Sequence, residues 1–169
     1  MTAHRAVIAL GSNLGDRAGH LRRGLRLLAA HDDVRVTGAS AAFETAPVGG
    51  PDDQPAYLNA VAAVGLTMPP HQLLGLLHVV EAACERTREV RWGPRTLDLD
   101  VLAYDDLVSA DPVLTLPHPR AHERAFVLAP WLDLDPLAAM PGHGPVAALL
   151  ERLDRSGVRR TDVHLEVPS

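Results

Sequence analysis

Two aspartates, Asp98 and Asp100, stand one residue apart in the apolar run Thr96-Leu97-Asp98-Leu99-Asp100-Val101-Leu102. Side chains alternate faces along a strand, so the two carboxylates share one side while Leu97, Leu99 and Val101 share the other. At a rise of about 3.3 Å per residue their Cα atoms lie roughly 6.6 Å apart. Carboxylates so placed can converge on two cations held about 3.5–4 Å apart, the spacing of two-metal sites. Hard oxygen donors select Mg²⁺, whose other ligands are water and phosphate oxygens. An isolated Asp-x-Asp is most often a solvated strand face. Here Arg91-Trp92-Gly93-Pro94-Arg95 leads directly into the pair and reverses that preference.

The arginines supply the complementary charge. All 16 basic residues are arginine, and four of them, Arg86, Arg88, Arg91 and Arg95, crowd one short segment. Arg120 and Arg124 form a second group beside His118, which prolines fence in Leu116-Pro117-His118-Pro119-Arg120. A planar guanidinium binds phosphate oxygens in pairs and stays charged at any working pH. A loop carrying Arg86, Arg88 and Arg91 can fold over a triphosphate and exclude water, with Trp92 anchoring it. Bland surface ion pairing explains a taste for arginine but not its bunching. Without lysine there is no glycine-rich phosphate loop ending in Lys-Ser/Thr. The run Gly11-Ser12-Asn13-Leu14-Gly15 reads as a structural turn. Aromatic residues make up only 4% of the chain. Tyr57 has Asn59 two residues on, and Phe126 follows Arg124 by two, so a flat heterocycle could lie between the rings while Asn59 reads its edge. Taken alone, both rings are more often core. Cys84 has no activator in view and His122 is assigned no role.

The elements that must position these groups follow from periodicity and breakers. Residues 5–10 read as a buried strand ending at the Gly-Ser-Asn turn. Asp16 is a candidate N-cap for a helix over 17–30, with Leu21, Leu25 and Leu28 at helical spacing. Strands are expected over 34–43, 57–66 and 96–104, with a Pro/Gly/Asp-rich loop over 44–55. Pro69-Pro70 opens a helix with the stripe Leu73, Leu74, Leu77 and Val80. Residues 86–93 read as a loop, 121–132 and 145–153 as helices, and 162–167 as a short tail strand. Strand, helix, strand, strand, helix, strand is the split βαβ, ferredoxin-like order. It predicts an α+β fold, an antiparallel sheet with helices on one face and extra helices toward the C-terminus.

Bulk properties bound the function. At 169 residues, with 47% hydrophobic and 22% charged, the chain suits one compact domain spanning 1–169. A net charge of -5 argues against sequence-independent nucleic-acid binding. The lone cysteine excludes an internal disulfide, and no apolar run is long enough for a bilayer. A cytoplasmic monomer acting on small molecules, without nucleic acid or membrane, is the expectation.

In order and spacing these segments resemble the 6-hydroxymethyl-7,8-dihydropterin pyrophosphokinase family of the folate pathway. The resemblance rests on 91–102, Gly11-Ser12-Asn13-Leu14-Gly15-Asp16, Glu44-Thr45-Ala46-Pro47-Val48-Gly49, Asp53-Gln54-Pro55 with Tyr57-Leu58-Asn59, and Leu116-Pro117-His118-Pro119-Arg120. It implies ATP as donor, two Mg²⁺ on Asp98 and Asp100, and attack of the pterin hydroxymethyl oxygen on the β-phosphorus. It further implies Arg86 and Arg91 as catalytic residues beside the aspartates. Glu81, Arg88, Arg95, Val101, His118 and Arg124 would contact ATP. Thr45, Val48, Tyr57, Asn59 and Phe126 would hold the pterin. The chain departs from the family pattern at Glu85, where glycine is usual, at His78, often glutamine, and at Pro119, an aromatic in some members. A metal-dependent phosphohydrolase or nucleotidyl transferase would use the same aspartates and arginines without the pterin cradle. A binding module would need neither.

Overall fold

The computed structural model describes residues 3–46, 56–85 and 96–168. Its centre is β1, His4–Ser12, which runs two residues past the expected end because Gly11 and Ser12 still pair, with Asn59 and Leu58 of β4. Helix α1, Arg17–Ala29, starts as its N-cap predicts: an Asp16 carboxylate oxygen accepts the Gly19 N–H at 3.0 Å. Strands β2, Val34–Ala39, and β3, Ala41–Thr45, both pair with β4, Tyr57–Leu66, along successive stretches. The expected continuous strand is broken at Ser40. Its N–H donates to the Val61 carbonyl and its hydroxyl oxygen accepts the Val61 N–H, so the break leaves no orphaned amide.

Helix α2, Pro70–Glu85, buries Leu73, Leu77, Val80 and Cys84 on one stripe. Strand β5, Asp98–Tyr104, returns to pair with the free side of β1. A 3₁₀ turn, Ala121–Glu123, leads into α3, Ala125–Leu134, dividing the single helix expected over 121–132. A two-strand hairpin of β6, Ala139–Met140, and β7, Gly144–Pro145, precedes α4, Val146–Glu151. The last strand, β8, Val158–His164, lies on the outer side of β3, several residues earlier than the expected tail strand. The main sheet has the order β5-β1-β4-β3-β8, with β2 also on β4, and every pairing is antiparallel.

The sheet is buried on both faces, not one. Ile8, Leu10, Ala60, Ala62 and Val64 pack with Leu25, Leu28, Leu73 and Leu77 of α1 and α2 in a first core. Val61, Leu102, Leu128, Trp131 and Val146 form a second core under α3 and α4. The physical reason lies in β4, where Ala60-Val61-Ala62-Ala63-Val64 is apolar without alternation, the pattern of a strand covered on both sides. Among the described residues no helix is long and apolar enough to cross a membrane.

Candidate functional site

Cross-strand pairing assembles the site. Asp98 of β5 stands opposite Gly11 of β1, and Gly11 stands opposite Asn59 of β4. Directly opposed residues project to the same side of a sheet, so Asp98, Gly11 and Asn59 form one row across three strands. Two strand spacings separate its ends, roughly 10 Å at Cα. In the next row lie Asp100, Ala9 and Val61, and the last two belong to the second core. The first row therefore sits just past the edge of that core, where the sheet face gives way from apolar to polar. Asp98 is half-buried and Asp100 exposed, as two carboxylates on one strand face should be, while Leu97, Leu99 and Val101 are buried on the opposite face.

Among the described residues no three His, Cys, Asp or Glu side chains gather into a metal cage. Two carboxylates are a sparse donor set that leaves most coordination positions to water and phosphate. That suits Mg²⁺, and it does not suit a structural zinc.

Asn59 is fixed from the far side. Its Nδ2 donates to the Thr45 hydroxyl at 2.8 Å, and Thr45 pairs with Tyr57 at the end of the β3–β4 ladder. The Oδ1 faces Gly11: a Cβ built there would lie 3.0 Å from it and 3.8 Å from the Tyr57 ring. Gly11 is thus the floor between the acidic row and the Asn59–Tyr57 corner. Read from sequence as part of a turn, it instead lies in a strand, and the available signal was a lone glycine at the end of an apolar run. Next to it, Ser12 Oγ and Asn13 Oδ1 are buried with no hydrogen-bond partner among the described residues, two further polar atoms at this end of β1.

The segment that follows β5 closes the opposite side. The His118 N–H donates to the Leu102 carbonyl at 2.9 Å, fastening the segment to the outer edge of β5. His118 Nδ1 accepts the Arg120 N–H at 3.2 Å, so the neutral ring carries its proton on Nε2. Burial pulls the His118 pKa down, against the raising effect of the Asp100 carboxylate; Arg124 and Arg120 pull it down further. Arg124 precedes α3 and lies 5.7 Å over the Phe126 ring, which is half-buried. Asp100, His118, Arg124 and Phe126 are in this way linked along one rim.

Two expected nucleotide contacts lie elsewhere, one against β5 and one on it. Glu81 of α2 accepts the Leu99 N–H at 2.9 Å. Val101 is 3% exposed within the first core, so only its main chain can meet a ligand. His78 is exposed on α2 and Pro119 is exposed beside His118. Val48, Arg86, Arg88, Arg91, Trp92 and Arg95 fall outside the described residues.

Similarity to known proteins points the same way. Residues 7–136 match the model of the family described as 7,8-dihydro-6-hydroxymethylpterin-pyrophosphokinase. A 2-amino-4-hydroxy-6-hydroxymethyldihydropteridine pyrophosphokinase of Methylorubrum extorquens is 43% identical over 158 residues, covering 94% of this chain and 99% of that protein. The Bacillus subtilis protein of the same name is 46% identical over 129 residues, covering 76% and 77%. Among solved structures, the Plasmodium falciparum HPPK-DHPS wild type with SDX-DHP superposes with a TM-score of 0.69 at 13% identity. It covers 89% of this chain, which spans only 44% of that one, and at such low identity the likeness concerns the fold. With a matching family model and a relative aligned over nearly its whole length, this chain belongs to the 7,8-dihydro-6-hydroxymethylpterin-pyrophosphokinase family.

Proposed function

We propose that the protein transfers a diphosphate from ATP to the hydroxymethyl group of 6-hydroxymethyl-7,8-dihydropterin, giving AMP and the pterin diphosphate in tetrahydrofolate biosynthesis. The observation that carries this reading is the row Asp98–Gly11–Asn59, which puts a cation-binding carboxylate and a ring-edge acceptor on one sheet face. The pterin oxygen attacks the β-phosphorus in line. The bond from that phosphorus to the bridging oxygen of the α-phosphate breaks, AMP leaves with the electron pair, and the hydroxyl proton passes to solvent. Such transfers depend on positioning and on neutralising charge rather than on covalent chemistry by the protein.

Each group has a role that its chemistry allows. Asp98 and Asp100 are the ligands for two Mg²⁺, which when bound supply charge neutralisation at the phosphates. His118, kept neutral by burial, offers Nε2–H to a phosphate or ribose oxygen without adding charge. Arg124 brings a fixed positive charge to the same rim. Arg86, Arg88, Arg91 and Arg95 are assigned to the phosphates, with Arg86 and Arg91 acting on charge that develops during transfer. Glu81 and the main chain of Val101 are assigned to the nucleotide. With Nδ2 committed to Thr45, Asn59 keeps Oδ1 to accept from an N–H on the pterin edge. Tyr57 and Phe126 offer the ring faces, and Thr45 and Val48 complete the pterin set.

The strand order, with α1 and α2 as crossovers, supports a ferredoxin-like βαββαβ core extended by α3 and α4. Residues 1–169 act as one pyrophosphokinase domain, a cytoplasmic monomer working on two small molecules. The deciding experiment supplies ATP, Mg²⁺ and the pterin alcohol together and separately. AMP appearing mole for mole with pterin diphosphate is expected. Orthophosphate released without pterin, or no turnover at all, would refute the assignment.

A further inference from the structure

Arg17 opens α1 at a place where a cation is unfavourable, because the exposed N–H groups of a helix start already carry partial positive charge. The first turn itself holds no acidic residue, and the Asp16 cap, already engaged with the Gly19 N–H at 3.0 Å, is the acidic group beside it. The side chain reaches away from the helix instead. Its Nη1 donates to the Ala56 carbonyl at 2.7 Å, and its Nη2 to Glu44 Oε2 at 3.2 Å. The other Glu44 oxygen accepts from Arg159 of β8 at 3.3 Å. One guanidinium therefore grips β3 through Glu44 and the residue leading into β4 through Ala56.

These grips fall at the open end of a ladder. Pairing between β3 and β4 runs Phe43–Asn59, Glu44–Leu58 and Thr45–Tyr57, and the last pair has no further pair beyond it within the ladder. A terminal pair frays more readily than an interior one; β8 holds the other side of β3, through the Thr45–Val158 pair and the Ala46 N–H donating to the Gly157 carbonyl at 2.9 Å, so the flank left to fray is the one toward β4. Fraying here would move Thr45 and Tyr57 directly, and Asn59 through its hydrogen bond to Thr45. Glu44 projects to the opposite face from Thr45, so the clamp holds the corner from behind. Arginine suits this position because its rigid planar fork holds two separated acceptors in a fixed geometry, whereas lysine's three donors radiate from one nitrogen on a flexible stem.

We propose that Arg17, through Glu44 and Ala56, is a positioning residue that holds the Thr45–Tyr57–Asn59 corner in its pterin-binding geometry. This rests on the assignment of that corner to the pterin. The test measures pterin and ATP-analogue dissociation constants, kcat and thermal midpoint for Arg17→Ala, Arg17→Lys, Glu44→Gln and, as a separate control, Asn59→Ala. For Arg17→Ala, pterin affinity should fall about tenfold while ATP-analogue affinity stays within twofold. Arg17→Lys should recover part of the loss. Combining Arg17→Ala with Glu44→Gln should cost less than the sum of the two. If Arg17→Ala does not fold, Glu44→Gln, which keeps the side-chain shape and one acceptor but loses the charge, should show a smaller loss with the same selectivity for pterin over nucleotide.

Pterin affinity unchanged in Arg17→Ala, or pterin and nucleotide affinity falling together, would overturn the clamp. The Asn59→Ala control separates the two levels. If it weakens pterin binding and Arg17→Ala does not, the site stands and the clamp fails. If Asn59→Ala has no effect, the pterin assignment fails and the clamp falls with it.

Discussion

At position 11 the absence of a side chain is itself a structural requirement. A Cβ at Gly11 would lie 3.0 Å from Asn59 Oδ1, so the amide would have to give by a few tenths of an ångström and strain its bond to Thr45. Overpacking of this kind typically costs about 1–3 kcal/mol. Gly11→Ala should therefore weaken pterin binding by about tenfold, with nucleotide binding nearly unaffected, as read by titration of each ligand. Equal affinity in the variant would mean that the corner yields freely. His118 gives a prediction in pH. In the metal-free protein its NMR titration midpoint should lie below the ordinary 6.5, because burial disfavours the cation, and Asp100→Asn should lower it further by removing an opposing carboxylate. The sign for stability follows. Between the depressed folded pKa and 6.5 the unfolded chain binds more protons, so His118 takes stability away as pH falls through that window and costs nothing above it. His118→Gln should flatten that part of the stability–pH curve, and an unchanged slope would refute the account.

Among the elements, β5 ends the main sheet beside β1, and edge strands expose unpaired amides. Glu81 answers this by reaching from α2 to the Leu99 N–H at 2.9 Å, between the two aspartates. A hydrogen bond to a charged partner contributes about 1.5–3 kcal/mol. Denaturant unfolding of Glu81→Ala should show a loss of about that size, whereas Glu81→Gln, which keeps an acceptor, should lose less than half as much. Equal losses in the two would detach Glu81 from the strand. At this scale the sequence was most legible where the pattern was regular. The range of β4 and the cap of α1 were readable because a continuous run of small apolar residues marks the one and an Asp N-cap the other. The break at Ser40 and the division of the segment over 121–134 were not readable. Each is stabilised by bonds to residues distant in the chain or by local 3₁₀ geometry that leaves little trace in hydropathy.

For the whole molecule, the decisive feature is a sheet shared by two cores. Leu25 belongs to the first and Leu128 to the second, and both are almost fully buried. Truncating either to alanine should cost about 2–5 kcal/mol, a large part of the roughly 5–15 kcal/mol typical of a folded protein. Because β1 and β4 contribute side chains to both layers, each variant should lower one common unfolding midpoint, followed by far- and near-ultraviolet signals together. Two separated transitions would show that the layers fold independently. The shared sheet also explains where the site lies: α3 covers the second face as far as Ala9 and Val61, and the polar row begins one step beyond.

Residue order alone was enough for the chemistry of the parts. Period-two spacing put Asp98 and Asp100 on one face, and the ordered short motifs identified the family, because both depend on residues close together in the chain. The folded chain was needed to see that Gly11 lies between Asp98 and Asn59, that Arg17 reaches Glu44 and Ala56, and that α3 and α4 cover the second face. Those relations come from cross-strand register and from which face a helix packs upon, and both are settled by contacts between residues tens of positions apart.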